Sequence, residues 1–201
     1  MTLRRLVLLR HGQTDYNVAG RMQGHLDSVL TAVGLEQAAV AAPALAALGP
    51  DRMVSSDLRR AADTAEVVGA ACGLPVKFDA RLRETHLGQW QGMTHSEVEA
   101  IYPGGIQSWR SSPECAPPGG ETRVEVATRA AQVVGELDAA GHDTAVLCTH
   151  GGLIAGLTPL LLELPVAGWP VFAGISNCHW TVLRRRSPGW RLESYNTAAP
   201  V

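Results

Sequence analysis

The sequence predicts an α/β fold, a three-layer sandwich in which helices cover both faces of a mostly parallel sheet. Short apolar runs alternate with longer segments whose apolar residues recur at helical spacing. The central runs are too apolar to leave either face to water, which is typical of parallel strands. Polar clusters follow these runs directly, at the strand ends where ligands gather in such sheets.

The first half of the chain supplies two strands and two helices. Residues 6–9 form a short apolar run that predicts a buried strand. Thr31 is a suitable N-cap for a helix that Pro43 is expected to kink or break. Residues 53–55 predict a second strand, after which Asp57 is expected to open a helix.

The second half continues the alternation. Thr94 begins a short helix through a capping box, and residues 111–120 form a turn-rich loop. Residues 121–140 predict a helix, and residues 144–149 predict a third buried strand. That strand ends at His150, and another helix follows it.

The last part predicts two strands over residues 176–185 and 190–196, joined by a turn at residues 187–189. Three late aromatic residues are Trp169, Phe172 and Trp180. Core packing is the expected role of these side chains, with a sugar-binding or dimer surface as the alternative.

Length and composition favour a single domain over residues 1–201, because 46% apolar and 18% charged residues are ordinary for a globular protein. The net charge of −2 gives no general basic field, so neither nucleic acid nor a membrane is an expected partner. The first apolar run is too short for a signal peptide. The four cysteines lack metal-site or disulfide spacing, which favours a reducing, cytoplasmic location.

The first polar cluster, RHGQTDYN, follows the first strand. A lone histidine at such a place is more often structural. Arg10 adds paired cationic donors beside His11, Gly12 allows close backbone approach, and Asn17 adds a neutral hydrogen-bonding group. The cluster therefore predicts a site for a dianion such as a phosphoryl group.

Two further clusters point to an anion. Arg59 and Arg60 lie near a helix N-terminus, where cations oppose the helix dipole unless an anion compensates them. Adjacent helical residues point about 100° apart, so only one of the two is expected to face a pocket. His150 and Gly151 begin another helix, whose free N–H groups favour an anion.

A carboxylate completes the set of candidate residues. Glu84 lies among glycines and an indole in LRETHLGQWQG, with an ion pair to Arg81 or Arg83 as the structural alternative. The GxSxG elbow of serine hydrolases, the phosphate-binding GxxxxGK[ST] loop and a dinucleotide fingerprint are all missing from the sequence. Phosphoryl transfer through a nucleophilic imidazole is consistent with the residues that remain.

Four ordered strings, LRHGQTDYN, SSDLRRAADTA, LRETHLGQWQG and THGG, resemble the histidine phosphatase superfamily, also called the phosphoglycerate mutase-like fold. The resemblance implies that His11 is the nucleophile that becomes phosphorylated and that Glu84 exchanges protons with the leaving oxygen and with water. It implies that the phosphoryl oxygens are bound by Arg10, Arg60 and His150. It implies no metal and no other cofactor.

The family pattern also selects among neighbouring residues. It runs Leu, any residue, Arg, Ala, which assigns Arg60 to the pocket and leaves Arg59 at the surface. Substrate or phosphate contacts are implied for Asn17, Gln23, Gly24 and Gly151. His86 and His179 lie outside the family's catalytic motifs and are left out of the site.

The residues after Glu84 favour water as the phosphoryl acceptor. Phosphoglycerate mutases of this family carry Arg-His-Tyr-Gly there and an inserted segment that encloses the intermediate, whereas this chain carries Thr85-His86-Leu87-Gly88 without such an insertion. A phosphatase is therefore expected, with a phosphoglycerate mutase as the alternative. A third hypothesis is that the chain is a phosphate-binding protein without catalytic activity.

Longer strings, including RRLVLLRHGQTDYNVAGRMQGHLD and LPVAGWP, are most similar to actinobacterial members of the family that dephosphorylate glucosyl-3-phosphoglycerate. This similarity implies that the partner of the chain is glucosyl-3-phosphoglycerate or a related small phosphorylated metabolite. The similarity to this subgroup is closer than that to the superfamily in general, although a few pocket residues can change the choice of substrate. A homodimer is expected because dimers are common among similar proteins.

Overall fold

A six-stranded sheet forms the centre of the structure, a computed structural model that describes residues 2–187 and 189–199. The strands are β1 (Arg5–Arg10), β2 (Arg52–Ser55), β3 (Val76–Phe78), β4 (Thr144–Thr149), β5 (Trp180–Arg186) and β6 (Gly189–Thr197). Their order across the sheet is β3-β2-β4-β1-β5-β6. Strands β1 to β4 run parallel, whereas β5 is antiparallel to both β1 and β6. The mostly parallel sheet predicted from the sequence is confirmed.

Helices cover both faces of the sheet. Over the described residues the α-helices are α1 (Asp15–Val18), α2 (Ala32–Ala46), α3 (Arg59–Cys72), α4 (His95–Ile101), α5 (Gly105–Ser111), α6 (Arg123–Ala139) and α7 (Gly151–Leu161). Side chains of α2 and α3 share one hydrophobic cluster with the sheet, and side chains of α6 and α7 share another on the opposite face. The three-layer sandwich is therefore confirmed.

The two central strands explain the apolar runs in the sequence. All six residues of β4 are buried, and Leu6, Val7, Leu8 and Leu9 of β1 are each 0% exposed. Alternate side chains of these strands enter the two clusters, so neither face of the strand can be polar. Each such aliphatic side chain contributes about 1.5–3 kcal/mol through its burial.

The register of the parallel strands places the polar clusters together. Arg10 at the end of β1 pairs with Thr149 of β4, so the next residues, His11 and His150, leave the sheet side by side. Strand β2 pairs with β4 on its other side and ends one residue before Ser56. Three consecutive strand ends therefore deliver side chains to one place at the carboxyl edge of the sheet.

Two helices differ from the predicted boundaries. Helix α2 continues through Pro43 to its end, so a break does not occur there, while the kink stays a prediction. The carbonyl that Pro43 leaves without a helical partner belongs to Ala39, which is exposed, so water can bind it. Helix α3 is capped by Leu58 rather than opened by Asp57. The Asp57 carboxylate instead forms an ion pair with Arg83, with 2.5 Å between Oδ2 and Nη2.

The last strands begin and end differently from the prediction. Strand β5 starts at Trp180, because Cys178 has a φ of 53° that interrupts an extended chain. The turn expected at residues 187–189 includes Pro188, which lies outside the described residues. Trp169 and Trp180 are 1% and 5% exposed, which confirms their expected core packing, whereas Phe172 lines a pocket.

No α-helix in the described ranges is long and apolar enough to cross a membrane. Within the same residues, no group of three or more His, Cys, Asp or Glu side chains is arranged to hold a metal ion. The four cysteines are free thiols, and Cys148 and Cys178 are buried.

Candidate active site

A pocket of about 700 Å³ lies at the carboxyl ends of the parallel strands. Eight residues that the sequence assigned to the site line it, namely Arg10, His11, Asn17, Gln23, Gly24, Arg60, Glu84 and Gly151. His150 lies beneath the pocket wall, and its ring centroid is 5.2 Å from that of His11. The structure thus brings every assigned residue to one place, while the chemical roles stay predictions.

The His11 ring is held in one tautomer. Its Nδ1 lies 2.7 Å from the carbonyl oxygen of Gly12, and since a carbonyl can only accept, Nδ1 must carry the proton. Burial, reinforced by the charges of Arg10 and Arg60, holds the pKa of His11 well below its ordinary value of 6.5. The ring is therefore neutral at pH 7, and Nε2 carries an unshared electron pair.

His150 orients a cation. Its Nδ1 accepts a hydrogen bond of 3.2 Å from Nε of Arg60, so Nε2 carries the proton and donates to Oγ of Ser56 at 2.9 Å. Burial is the main cause that holds the pKa of His150 well below 6.5, followed by the charge of Arg60. Both ring nitrogens already have protein partners, and one of them fixes the Arg60 guanidinium.

Arg10 and Arg60, whose charges act on His11, create a positive site. Arg60 is 0% exposed and donates to the carbonyls of Gly24 and Leu26 at 2.8 and 2.9 Å, while burial lowers its pKa to about 10. Arg10 donates to the carbonyl of Ile175 at 2.6 Å, and its buried Nε has no hydrogen-bond partner among the described residues. A fully buried and a half-buried cation, neither of which has an ion-pair partner in the described ranges, are costly unless an anion binds between them.

The neighbouring arginine behaves as the helical spacing predicted. Arg59 points to solvent and pairs with Asp63 one turn along α3, with 3.5 Å between Nε and Oδ2. Arg60, the next residue, is completely buried in the pocket wall. Adjacent residues on a helix diverge by about 100°, so the two side chains cannot share one environment.

Glu84 is held at the N-terminus of α7. Its Oε2 accepts a hydrogen bond from the backbone N–H of Gly152 at 3.0 Å, and its Oε1 accepts from Leu153 at 3.1 Å and from Thr85 at 2.8 Å. The carboxylate thereby satisfies two N–H groups that every helix start leaves free. A Cβ on residue 152 would lie 2.5 Å from Oε1, which explains the second glycine of THGG.

The backbone around Glu84 is clamped by Arg129 of α6. Nη2 of Arg129 donates to the carbonyl of Glu84 at 2.8 Å, and Nη1 donates to the carbonyl of Arg83 at 2.7 Å. Glu121 binds the same guanidinium through both carboxylate oxygens at 2.9 and 3.0 Å. His25 also contacts the Glu84 carbonyl through Nε2, at 2.7 Å. The acid is thus positioned by several elements rather than by a free loop.

Asn17 lies on the pocket wall with its oxygen already used. Oδ1 of Asn17 accepts from the backbone N–H of Thr14 at 3.1 Å in a capping box that begins α1, and from Nδ2 of Asn177 at 3.2 Å. Since the oxygen is committed, the amide nitrogen is the group that remains to donate to a ligand.

The remaining assigned residues shape the wall of the pocket. Gln23 is 9% exposed and accepts a hydrogen bond of 2.5 Å from Ser28. Gly24 has a φ of 53°, in the left-handed region that favours glycine, and its carbonyl holds Arg60. Gly151 lies against Arg10, whose Nε would be 3.5 Å from a Cβ there.

Sequence reasoning missed several residues of this site. Ser56 follows the second strand and could have been inferred from its position at a strand end. Trp109 and Arg110 line the pocket from α5, a short helix with no strong local signal. Arg123, the first residue of α6, lines it as well, and nothing in the sequence distinguishes it from a surface arginine.

The fold and the pocket together define an α/β protein with a buried, positively charged site for a phosphoryl-sized anion, next to a neutral imidazole. A sequence profile of the histidine phosphatase superfamily (branch 1) matches residues 6–198. The chain belongs to this superfamily, which confirms the resemblance of its motifs.

Individual relatives and structures are similar over nearly the whole chain. A glucosyl-3-phosphoglycerate phosphatase of Mycolicibacterium vanbaalenii is 51% identical over 220 residues, covering 100% of this chain and 98% of that protein. A structure of mycobacterial glucosyl-3-phosphoglycerate phosphatase complexed with VO3 matches with a TM-score of 0.94 at 49% identity, covering 97% of this chain and 100% of that chain. A probable phosphoglycerate mutase of Proteus mirabilis is more distant, at 36% identity over 164 residues, covering 79% of this chain and 74% of that protein.

Proposed function

We propose that this protein hydrolyses a small phosphomonoester through a phosphohistidine at His11, with glucosyl-3-phosphoglycerate as the first candidate substrate. The reaction class follows from the superfamily and from the pocket. The candidate substrate is supported by relatives about half identical over their full length that are named for it. The proposed partner is thus a small phosphorylated metabolite.

In the first step, Nε2 of His11 attacks phosphorus and the bond to the ester oxygen breaks. Glu84 delivers a proton to that oxygen, so the alcohol leaves uncharged. Arg10 and Arg60 neutralise the dianion that would otherwise repel the attacking electron pair, and they stabilise the charge that spreads over the phosphoryl oxygens in the transition state.

In the second step, water attacks phosphorus while Glu84 takes its proton, and the P–N bond breaks. The electron pair returns to Nε2 of His11, inorganic phosphate is released, and Glu84 is again ready to donate. Water can reach the pocket because exposed residues such as Gly20 and Arg21 form part of its rim.

One observation carries the proposal most directly. The hydrogen bond from Nδ1 of His11 to Gly12 leaves an unprotonated Nε2 close to the charges of Arg10 and Arg60. A nucleophile needs an unshared pair, and a dianionic phosphoryl group needs nearby cations. His11 thus supplies the electron pair that the first step requires, and Arg10 and Arg60 supply the cations.

The test is replacement of His11. We expect His11→Ala to reduce phosphate release from glucosyl-3-phosphoglycerate by at least about 10³-fold, since the covalent path is removed. The wild-type protein, quenched during turnover of ³²P-labelled substrate, should carry acid-labile label that His11→Ala lacks. His142→Ala, at the opposite end of β4, is the matched control and should keep full activity. Normal turnover by His11→Ala would reject the mechanism.

Two finer expectations remain part of the proposal. A homodimer is expected from the similarity to related proteins, and sedimentation equilibrium would measure it.

A cytoplasmic location is expected from the unpaired cysteines of the sequence. Fractionation of the source cells would measure that location.

A further inference from the structure

Arg123 is a pocket cation that the proposed mechanism does not use. It is the first residue of α6 and lines the same pocket as His11 and Glu84. Its side chain is half-buried and, within residues 2–187 and 189–199, its guanidinium forms no ion pair. A cation withdrawn from water in this way loses hydration that a bound anion would replace.

The other outer arginines of the pocket already have partners. Arg21 pairs with Glu97 at 3.3 Å, and Nη2 of Arg110 lies 3.3 Å from Nδ1 of His95. Arg123 differs from both, because within residues 2–187 and 189–199 its guanidinium has neither a hydrogen-bond partner nor an ion-pair partner. The N–H groups of the Arg123 guanidinium are therefore available to a ligand in the pocket.

The stem of Arg123 is fixed by a close approach between two helices. A Cβ on Gly156 of α7 would lie 2.9 Å from Cγ of Arg123 and 3.1 Å from its carbonyl oxygen. The glycine lets the arginine stem lie directly against α7. Burial lowers the pKa of Arg123, and the negative charge of Glu84 opposes this effect, which is consistent with a place near the acid.

Arg123 approaches the pocket along the same helix that anchors Glu84. Glu84 is bound at Gly152 of α7, and Gly156, against which Arg123 packs, follows four residues later, about 6 Å along the helix. Arg10 and Arg60 are the cations whose charges act on His11. A substrate whose ester oxygen meets Glu84 can therefore extend its alcohol part toward Arg123.

We propose that Arg123 binds a carboxylate in the alcohol part of the substrate, and so selects phosphorylated hydroxy acids over neutral phosphomonoesters. The inference rests on the proposed function and adds a determinant of its substrate class. A planar guanidinium matches a carboxylate with two parallel hydrogen bonds. In a 3-phosphoglycerate unit the carboxylate lies at the far end of a three-carbon chain from the ester oxygen, on the side where Arg123 lies.

The experiment compares two substrates that differ in that group alone. 3-Phosphoglycerate carries a carboxylate where glycerol 3-phosphate carries a hydroxymethyl group. We expect Arg123→Gln to lower kcat/KM for 3-phosphoglycerate about 10- to 100-fold, the usual effect of losing a hydrogen bond to a charged group. The value for glycerol 3-phosphate should change less than about threefold, and Arg123→Lys should retain part of the preference.

Arg110→Gln is the matched control, since it removes a pocket arginine that already has a partner. It should leave the ratio of the two kcat/KM values unchanged. Equal losses on both substrates in Arg123→Gln would show a structural role and overturn the inference. An unchanged ratio in Arg123→Gln would overturn it as well.

A binding measurement separates this inference from the proposed function. The His11→Ala protein, titrated calorimetrically, should bind 3-phosphoglycerate more tightly than glycerol 3-phosphate, and the additional Arg123→Gln change should remove the difference. If the wild-type protein hydrolyses neither compound nor glucosyl-3-phosphoglycerate, the proposed function fails while the calorimetric preference still decides the role of Arg123. If it hydrolyses both compounds equally well, the inference fails while the hydrolase stands.

Discussion

Two buried histidines set the chemical character of the pocket at the scale of single residues. His11 and His150 are both neutral at pH 7, because burial and neighbouring arginines oppose a third positive charge. The same arginines that prepare the site for a phosphoryl group therefore also keep the proposed nucleophile unprotonated. We therefore expect the proposed activity and the folding stability to depend on pH through the same residues.

This coupling predicts the pH dependence of stability. The folded-state pKa of each histidine lies below its ordinary 6.5, so the unfolded chain binds more protons as pH falls through 6.5. The contribution of the two neutral histidines to the free energy of unfolding is fully present above pH 6.5. It is lost as pH falls from 6.5 toward the folded-state pKa, because protons then bind preferentially to the unfolded chain. Urea unfolding from pH 8 to pH 5 should show the decline. It should be shallower in His11→Asn than in the His142→Asn control, and equal slopes in the two variants would contradict the assignment.

The close contact between Gly152 and the Glu84 carboxylate leads to a second prediction at the scale of single residues. An alanine there would place Cβ 2.5 Å from Oε1 of Glu84, and the carboxylate would have to leave its backbone donors. We expect Gly152→Ala to lower kcat at least about 10-fold through misplacement of the acid. The control is Gly135→Ala on exposed α6 surface, where a Cβ meets nothing within 4 Å. It should keep full activity and gain up to about 1 kcal/mol in unfolding free energy. Full activity in Gly152→Ala would show that the anchoring of Glu84 is dispensable.

At the scale of elements, the structure assigns separate tasks to the helices. The start of α7 binds the Glu84 carboxylate, and α6 holds the backbone of the same residue through Arg129. The neighbouring strand ends supply His11 and His150 by register alone. Rigid elements therefore position the acid and the proposed nucleophile independently, which keeps their separation fixed during the reaction.

Removal of the Arg129 clamp should damage both activity and stability. Arg129→Met leaves Glu121 without its bidentate partner and removes one donor from each of three carbonyls, of which that of Glu84 keeps His25. We expect a loss of about 2 kcal/mol or more in unfolding free energy, and a fall in kcat larger than the change in KM. Arg59→Met removes an exposed pair and should cost less than about 1 kcal/mol. Chemical denaturation and steady-state kinetics on both variants measure the difference, and equal effects would refute the clamp.

At the scale of the whole molecule, the open rim of the pocket decides between hydrolysis and transfer. A mutase must keep its phosphohistidine from water until the second hydroxyl arrives, whereas this pocket has exposed residues along its rim. With 3-phosphoglycerate and a bisphosphoglycerate primer, we expect inorganic phosphate and no 2-phosphoglycerate above the background. Nuclear magnetic resonance of ³¹P distinguishes the products. Accumulation of 2-phosphoglycerate would establish the mutase alternative, and no reaction with either 3-phosphoglycerate or glucosyl-3-phosphoglycerate would favour a non-catalytic phosphate-binding protein.

Long and strongly patterned segments could be predicted from the sequence. The runs in β1 and β4 specify strands because burial on both faces leaves no place for polar residues. Short elements such as α5 and β3 could not be predicted, because a few residues gain their stability from tertiary contacts rather than from local propensity. For the same reason the pocket residues carried by α5 were missed.

The sequence by itself determined the superfamily, the α/β class and those pocket residues that belong to the family's motifs. These depend on local patterns and on motifs such as RHGQTDYN and THGG, which require particular side chains at particular strand ends. The tertiary structure alone decided the tautomer of His11, the anchoring of Glu84 on α7 and the place of Arg123 beside it. These depend on distances between residues far apart in the chain, which packing sets and no local pattern encodes.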